Sequence, residues 1–369
     1  MAASVVAPVT PAVLSWARTQ AAVSISELAK RVDVSEDRVR AWEAGEAFPT
    51  VAKLRAISDM VKQPMALFFA SAPPEHGLQV PPDFRATDAA PGRRLTRDIR
   101  LAEERRDIFK RLAPGLVAES PWPTWADAQS ATPAEVRTRL GVTIEAVEKA
   151  KSHLEALRLW TSAIENQGIL VFQMSRVKDD ECSGFCVYDS TTPTIVLNGS
   201  EAPQRRIFTL LHELGHLVRH SSGLCGLDES VDEERACNRF AEGVLLPPRE
   251  VSAAIGDVGG VDAVAIVARR FHVSRVAAAI ALRRYGKVDQ QVVDGELQLV
   301  EEARGHTTDH DGFVPPERLH RRNLGDVYLT TVLDAMDSDA ISVADATYFL
   351  NAKVGMIDKL ERELVGSPQ

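Results

Sequence analysis

The sequence has few cysteines, and none of them form the patterns that build disulfide or zinc frameworks. Its four cysteines are Cys182, Cys186, Cys225 and Cys237, and they contain no CxxC pair. We expect them to pack as small apolar side chains. The chain also lacks a basic, apolar N-terminal segment that ends at a cleavage site, and it lacks any apolar run long enough to span a bilayer. These absences predict a cytoplasmic protein without membrane contact. Disulfides are rare in that compartment, so we expect reduced thiols.

An excess of basic charge is missing as well. The chain has 52 acidic and 43 basic residues, a formal net charge of -9, so any contact with nucleic acid needs a local basic patch. A hydrophobic content of 45% and a charged content of 26% are typical of globular proteins. A length of 369 residues predicts two or three domains.

Apolar periodicity, helix caps and prolines predict an α+β chain that is predominantly α-helical. We expect a five-helix domain at 8–72, a linker with a basic helix at 73–130, a domain of helices and short strands at 131–260 and a helical region at 261–369. In the third part, one long helix over 144–167 precedes short strands at 169–174, 184–188 and 194–197. Residues 287–322 are expected to be irregular.

One apolar helix, predicted over 204–220, carries His212, Glu213 and His216 in an HExxH pattern. Residues four apart lie on one helix face, so both imidazoles can bind one metal ion. Glu213 lies about 100° further round the helix, where its carboxylate can act as general base on a water activated by zinc. The alternative is an ordinary helix with a solvated glutamate. The apolar surroundings disfavour that alternative, because buried histidines need a polar partner.

A catalytic zinc ion usually has three protein ligands. The helix predicted at 231–244 offers Glu234 as the first candidate and Glu233 as its main competitor. His220 could be a further ligand, an oxyanion donor or a histidine stabilised by the helix dipole. Ser222 occupies the position of a metzincin histidine and excludes that class. Cys225 and Cys237 flank this site, and a thiolate could bind zinc, but packing is the favoured role of both. Histidine and glutamate ligands admit manganese as well as zinc.

Several motifs in residues 194–247 resemble those of the ImmA/IrrE family of metallopeptidases. They are Ile195-Val-Leu-Asn198, Arg206 to His216, Glu234-Arg-Ala-Cys-Asn238-Arg-Phe-Ala241 and Leu245-Leu-Pro247. The resemblance implies a minimal zincin fold with a small antiparallel sheet. It also implies the ligand set His212, His216 and Glu234, with Glu213 as base. Members of this family typically cleave a repressor protein and so release transcription, and some act in the response to DNA damage.

Residues 26–50 resemble an Xre-type helix-turn-helix module. Such a module inserts the N-terminal end of its second helix into the major groove, so Ser35, Arg38 and Arg40 are candidate DNA-binding residues. The first 70 residues contain eight basic and seven acidic side chains, which is a weak basic excess for DNA binding. A protein-interaction or homodimerisation module is therefore the alternative.

Together these patterns predict a zinc-dependent endopeptidase that cleaves a regulatory protein, such as a helix-turn-helix repressor. The alternative is a non-catalytic, DNA-binding regulator whose zincin domain senses a ligand or binds a partner. For the peptidase, a substrate strand could add to residues 184–189. Tyr188 or His220 is a candidate to stabilise the oxyanion, and Asn238 is a candidate to support the metal ligands.

Overall fold

The structure is a computed structural model, and it describes most of the chain. The described residues are 6–21, 23–61, 65–69, 72–73, 93–122, 124–125, 131–174, 182–219, 223–224, 231–304 and 314–365. Helices predominate and one small sheet is present, which confirms the predicted α+β class. The chain divides into two compact units, Met1–Leu101 and Ala102–Gln369. The four-part division and its boundaries stay a prediction.

The first unit is a group of short helices around one apolar core. Its helices are α1 (Pro11–Gln20), α2 (Ile25–Val32), α3 (Glu36–Ala44), α4 (Val51–Val61) and a 3₁₀ turn (Met65–Phe69). Ser24 and Ser35 cap α2 and α3 through their hydroxyl oxygens, as their positions predict. Asp33 lies in the left-handed region, with φ of 52°, and this allows the tight turn between α2 and α3. Leu28, Val39 and Trp42 are buried in the core.

Helix α5 (Arg93–Leu112) matches the predicted basic helix, and most of the remaining helices belong to the larger unit. These are α6 (Pro114–Ala118), α7 (Pro133–Leu140), α8 (Ile144–Lys149), α9 (His153–Glu165), α10 (Pro203–Val218), α11 (Val231–Leu245), α12 (Pro248–Ile255), α13 (Gly260–Arg270), α14 (Arg275–Arg284), α15 (Gln290–Arg304), α16 (Pro316–Leu324), α17 (Asp326–Asp337), α18 (Val343–Phe349) and α19 (Val354–Val365). Within the described ranges, no single helix is long and apolar enough to cross a membrane. Among the described helices, only the pair α12 and α13 reaches that length and composition together, and the two are bent by 119° at their junction.

The sheet is mixed, so the expectation of an antiparallel sheet is wrong for one strand. Its strands are β1 (Leu170–Met174), β2 (Gly184–Val187), β3 (Thr194–Asn198) and β4 (Gly223–Leu224), in the order β1-β3-β2-β4. β2 pairs antiparallel with β3 and β4, whereas β1 pairs parallel with β3. The reason is that β1 bypasses its sequence neighbour β2 and joins the far side of β3.

Two other sequence expectations differ from the structure. The helix predicted over 144–167 is broken between α8 and α9, because the Ser152 hydroxyl accepts a hydrogen bond from the Glu155 backbone N–H and starts a new helix. Residues 287–322 include α15 and α16 rather than only irregular chain. Helix α15 has few apolar residues, but Val293 and Glu296 lie one turn apart and are both buried.

One hydrophobic core joins one face of the sheet to the helices that pack on it. It includes buried residues of α9, α10 and α11 and continues into α13 and α14. Helix α10 packs on β2, β3, α9 and α11. The HExxH helix is therefore held on several sides, and its side chains have fixed positions.

The N-terminus of α17 is held by a buried glutamate. Glu165 accepts a hydrogen bond from the Val327 backbone N–H, and burial raises the pKa of its carboxyl to about 8. Gly325 precedes α17 with φ of 72°, and a Cβ atom there would collide with the Val171 backbone oxygen. This close approach attaches the C-terminal helices to β1.

Candidate metal centre

Helix α10 carries the HExxH residues in its most buried part. Pro203 occupies its first turn, where the missing N–H is tolerated. From Thr209 to Val218 every residue is buried, and His212, Glu213 and His216 are only 2%, 0% and 1% exposed. Polar side chains this deep in an apolar helix need polar partners. The neighbouring helix α11 supplies them for the two histidines.

Three ligand atoms from α10 and α11 converge at one point. His212 Nε2 and His216 Nε2 are 3.0 Å apart, and Glu234 Oε2 lies 3.2 Å from the first and 3.5 Å from the second. Ligand atoms at 2.0–2.1 Å from a tetrahedral zinc ion are about 3.3 Å from one another. The observed triangle therefore has the size that one tetrahedral ion requires, and the residues present fit a divalent metal.

Both imidazoles are held through the ring nitrogen that faces away from this point. His212 Nδ1 lies 3.1 Å from Asn238 Oδ1, and the supporting role of Asn238 stays a prediction. His216 Nδ1 lies 3.5 Å from Cys237 Sγ. Metal-binding histidines commonly donate their second N–H in this way, so each Nε2 is directed towards Glu234.

The electrostatic setting favours a cation at this point. Burial lowers the pKa of His212, but its contact with Glu234 and the charges of Glu213 and Glu234 outweigh burial and raise that pKa overall. Negative charge that stabilises a protonated imidazole also stabilises a bound metal ion. The carboxylates thus offset the cost of placing a cation in a mostly buried site.

A glycine allows β2 to approach the carboxylate of Glu213. A Cβ atom on Gly184 would lie 2.6 Å from Thr209 Cγ2, 2.9 Å from the Val196 backbone oxygen and 3.7 Å from Glu213 Oε1. Only a glycine fits this gap without displacing α10 or the strand. Glu213 is consequently covered by β2, one residue along the helix from the ligand His212.

The other candidates from the sequence have mixed outcomes. The structure includes Glu234 rather than Glu233 in the group that could hold a metal ion. Tyr188 packs its ring edge-on against Trp122, with centroids 6.3 Å apart, and its oxyanion role stays a prediction. His220 lies outside the described residues. β2 already pairs with β3 and β4, so a substrate strand cannot add beside Phe185 and Cys186 while β4 is in place.

Sequence reasoning missed the contacts of Cys237 and Gly184 with the site. Helical spacing could have indicated the first, because Glu234, Cys237 and Asn238 lie at positions i, i+3 and i+4 and so share one face of α11. No local signal marks Gly184. Its role depends on how closely the sheet approaches α10, which is a tertiary feature.

The three candidate DNA-binding residues lie at the N-terminal part of α3. Ser35 caps the helix through its hydroxyl oxygen, and Arg38 is exposed. Arg40 forms two ion pairs of 3.0 Å, with Glu36 and Asp37. A DNA phosphate would have to compete with these two carboxylates for the Arg40 guanidinium.

One family model matches the part of the chain that contains this site. The Peptidase_M78 model, described as the IrrE N-terminal-like domain, matches residues 164–283. This match includes β1 to β3, α10, α11 and the helices α12 and α13, and it supports the resemblance to the ImmA/IrrE family. A search of curated proteins finds no match to the chain. The match associates this segment with a peptidase family and leaves the N-terminal unit unassigned.

Proposed function

We propose that the protein is a zinc-dependent endopeptidase with His212, His216 and Glu234 as metal ligands. The observation that carries the proposal is the convergence of two imidazole Nε2 atoms and one carboxylate oxygen beside a fully buried second carboxylate, that of Glu213. Three protein ligands leave a fourth position open for substrate or water, as in catalytic zinc sites. The peptidase family match at residues 164–283 supports the same activity.

When bound, the zinc ion would polarise the substrate carbonyl and lower the pKa of a water molecule. Glu213 accepts the proton of the attacking water on its carboxylate and passes it to the leaving nitrogen. Burial suits this role, because a carboxylate shielded from solvent is a stronger base than an exposed one. Asn238 holds the His212 ring. Because His212 and Glu213 are neighbours on α10, the metal-binding imidazole and the proton-transferring carboxylate keep a fixed position relative to each other.

We further propose that the substrate is a protein, such as a helix-turn-helix repressor, and that the N-terminal unit recruits it or binds DNA. Two features support an interaction role for this unit. Helices α2 and α3 are joined by a three-residue turn, and α3 carries the exposed Arg38. The ion pairs of Arg40 with Glu36 and Asp37 favour a protein partner over DNA at this helix.

The peptidase activity is tested with a proteome-derived peptide library read by mass spectrometry. Zinc-loaded wild-type protein should cleave a reproducible subset of peptides, and Glu213→Gln should retain its zinc but lose about 10²-fold or more of this cleavage. His212→Ala should lose both. Equal cleavage by wild type and by Glu213→Gln at equal zinc content would refute the mechanism. In that case a binding regulator becomes the better account.

A further inference from the structure

One turn of α11 presents three side chains to the two histidines of α10. Glu234 contributes the carboxylate oxygen at the metal position. Asn238 Oδ1 contacts His212 Nδ1 at 3.1 Å, and Cys237 Sγ contacts His216 Nδ1 at 3.5 Å. Each histidine thus has its own partner on the ring nitrogen opposite the metal position. The sulfur contact corresponds to the amide contact of the other ring.

The direction of the sulfur contact follows from the chemistry of imidazole. A neutral imidazole that binds a metal through Nε2 has its proton on Nδ1. His216 Nδ1–H then donates to Cys237 Sγ, as His212 Nδ1–H donates to Asn238 Oδ1. Sulfur is a weak acceptor, but Cys237 is fully buried, so bulk water does not compete for this contact.

The sulfur atom is fixed by contacts on its other sides. Arg219 Nη1 lies 3.8 Å from Cys237 Sγ and donates a hydrogen bond of 2.9 Å to the Gly215 backbone oxygen. The Arg219 guanidinium also lies over the Phe240 ring, 5.6 Å from its centroid. A Cβ atom on Gly215 would lie 3.0 Å from Phe240 Cδ1 and 3.4 Å from the sulfur, so this glycine allows α11 to pack closely on α10. Cys237 therefore meets His216 in a closely packed position beside Arg219.

We propose that Cys237 is a positioning residue for the metal centre. It fixes the tautomer and the ring orientation of His216 through Nδ1, and it does not itself bind the metal. This inference rests on the proposed metal site, and it goes further by assigning a role to a side chain whose type alone would indicate only packing. Cys237 Sγ contacts His216 Nδ1, the ring nitrogen that faces away from the metal position. This contact fits a residue that orients the imidazole rather than one that binds the metal.

The test uses Co²⁺ binding to the full-length protein, measured by chelator competition and by the visible d–d absorption of the bound ion. Cys237→Ala should weaken Co²⁺ binding about 10- to 100-fold, the usual effect of removing a partner of a ligand histidine, and should shift the d–d bands. Cys237→Ser should recover most of the affinity, because its hydroxyl oxygen also accepts from Nδ1–H. Cys186→Ala removes another buried sulfur, on β2, and should leave the affinity unchanged.

Urea unfolding of the metal-free variants separates positioning from stability. Cys237→Ala and Cys186→Ala should lose similar amounts of unfolding free energy, because each removes one buried sulfur atom, while only the first loses affinity for Co²⁺. Wild-type affinity in Cys237→Ala would overturn the inference and leave the metal site intact. A thiolate-to-cobalt charge-transfer band that disappears in Cys237→Ser would overturn it in favour of ligation. Absence of Co²⁺ binding by the wild type would overturn the proposed function itself.

Discussion

Replacing Gly184 with alanine should displace the helix that carries the proposed metal ligands His212 and His216. The added Cβ atom would lie 2.6 Å from Thr209 Cγ2 and 2.9 Å from the Val196 backbone oxygen. Ordinary van der Waals contact begins near 3.4 Å, so Thr209 Cγ2 must move by about 0.8 Å, and we expect α10 to move with it because the core around it is closely packed. Thr209 and the ligand His212 lie one turn apart on α10, so the shift is transmitted to the metal position.

The size of the effect follows from that displacement. Overpacking a well-packed core costs about 1–3 kcal/mol of unfolding free energy. Catalytic groups must stay within about 0.5 Å of their working geometry, and a misplacement of about 1 Å can cost about 100-fold in rate. We therefore expect Gly184→Ala to remain folded, with kcat/KM for peptide cleavage reduced about 10- to 100-fold and zinc binding weakened in parallel.

A second substitution, at Thr209, tests whether the contact with Cγ2 causes the loss. Thr209→Ser removes the Cγ2 atom, so the double variant Gly184→Ala with Thr209→Ser should regain part of the activity and affinity lost in Gly184→Ala. The contact of the new Cβ atom with the Val196 oxygen should keep the activity and zinc affinity of the double variant below those of the wild type. Gly295→Ala on α15 is the matched control, because a Cβ atom there meets nothing within 4 Å. Activity and zinc affinity of Gly184→Ala within twofold of wild type would refute the argument.

Three further predictions concern stability. Glu165→Gln should stabilise the protein at pH 8 but not at pH 4. The Glu165 carboxyl of the folded wild type keeps its proton up to a pKa of about 8, whereas the unfolded chain releases that proton near 4.5. Urea titrations at both pH values should therefore show that the gain in unfolding free energy differs by up to about 5 kcal/mol. Asp189→Asn should destabilise the protein by about 1–2 kcal/mol at pH 7. Burial raises the pKa of Asp189, but hydrogen bonds from Lys110 and neighbouring N–H groups outweigh burial and lower that pKa to about 2. The loss of stability should therefore vanish as the pH falls through 2. Gly325→Ala should lower the melting temperature strongly, since its Cβ atom would collide with the Val171 oxygen at a positive φ.

The local chemistry of the sequence was sufficient to predict many helices and the group of residues that could hold a metal ion. Ser24 and Ser35 begin helices because their hydroxyl groups cap backbone N–H groups within three residues. His212 and His216 share a face because of helical periodicity alone. Glu234 is the first candidate from the sequence, ahead of Glu233, and the structure includes Glu234 in the group.

The sheet pairing and the contacts around the site could not be predicted in the same way. Strand order depends on which segments meet in three dimensions, and nothing in residues 170–174 indicates a parallel partner at 194–198. The break at Ser152 was missed because the apolar spacing of α8 and α9 resembles one continuous helix. For Cys237 the sequence favours packing over zinc binding by its thiolate, and it does not show that the sulfur meets the His216 imidazole.

The most direct test of the account is the zinc affinity of purified wild-type protein beside Glu234→Gln and Glu233→Gln. These two neighbouring carboxylates differ in one respect, since only Glu234 has its oxygen at the histidine pair. The account predicts one zinc ion per chain, a loss of affinity in Glu234→Gln larger than the 10- to 100-fold typical of supporting residues, and little change in Glu233→Gln. Failure of zinc-supplied wild type to bind metal, or loss of binding in Glu233→Gln alone, would contradict it.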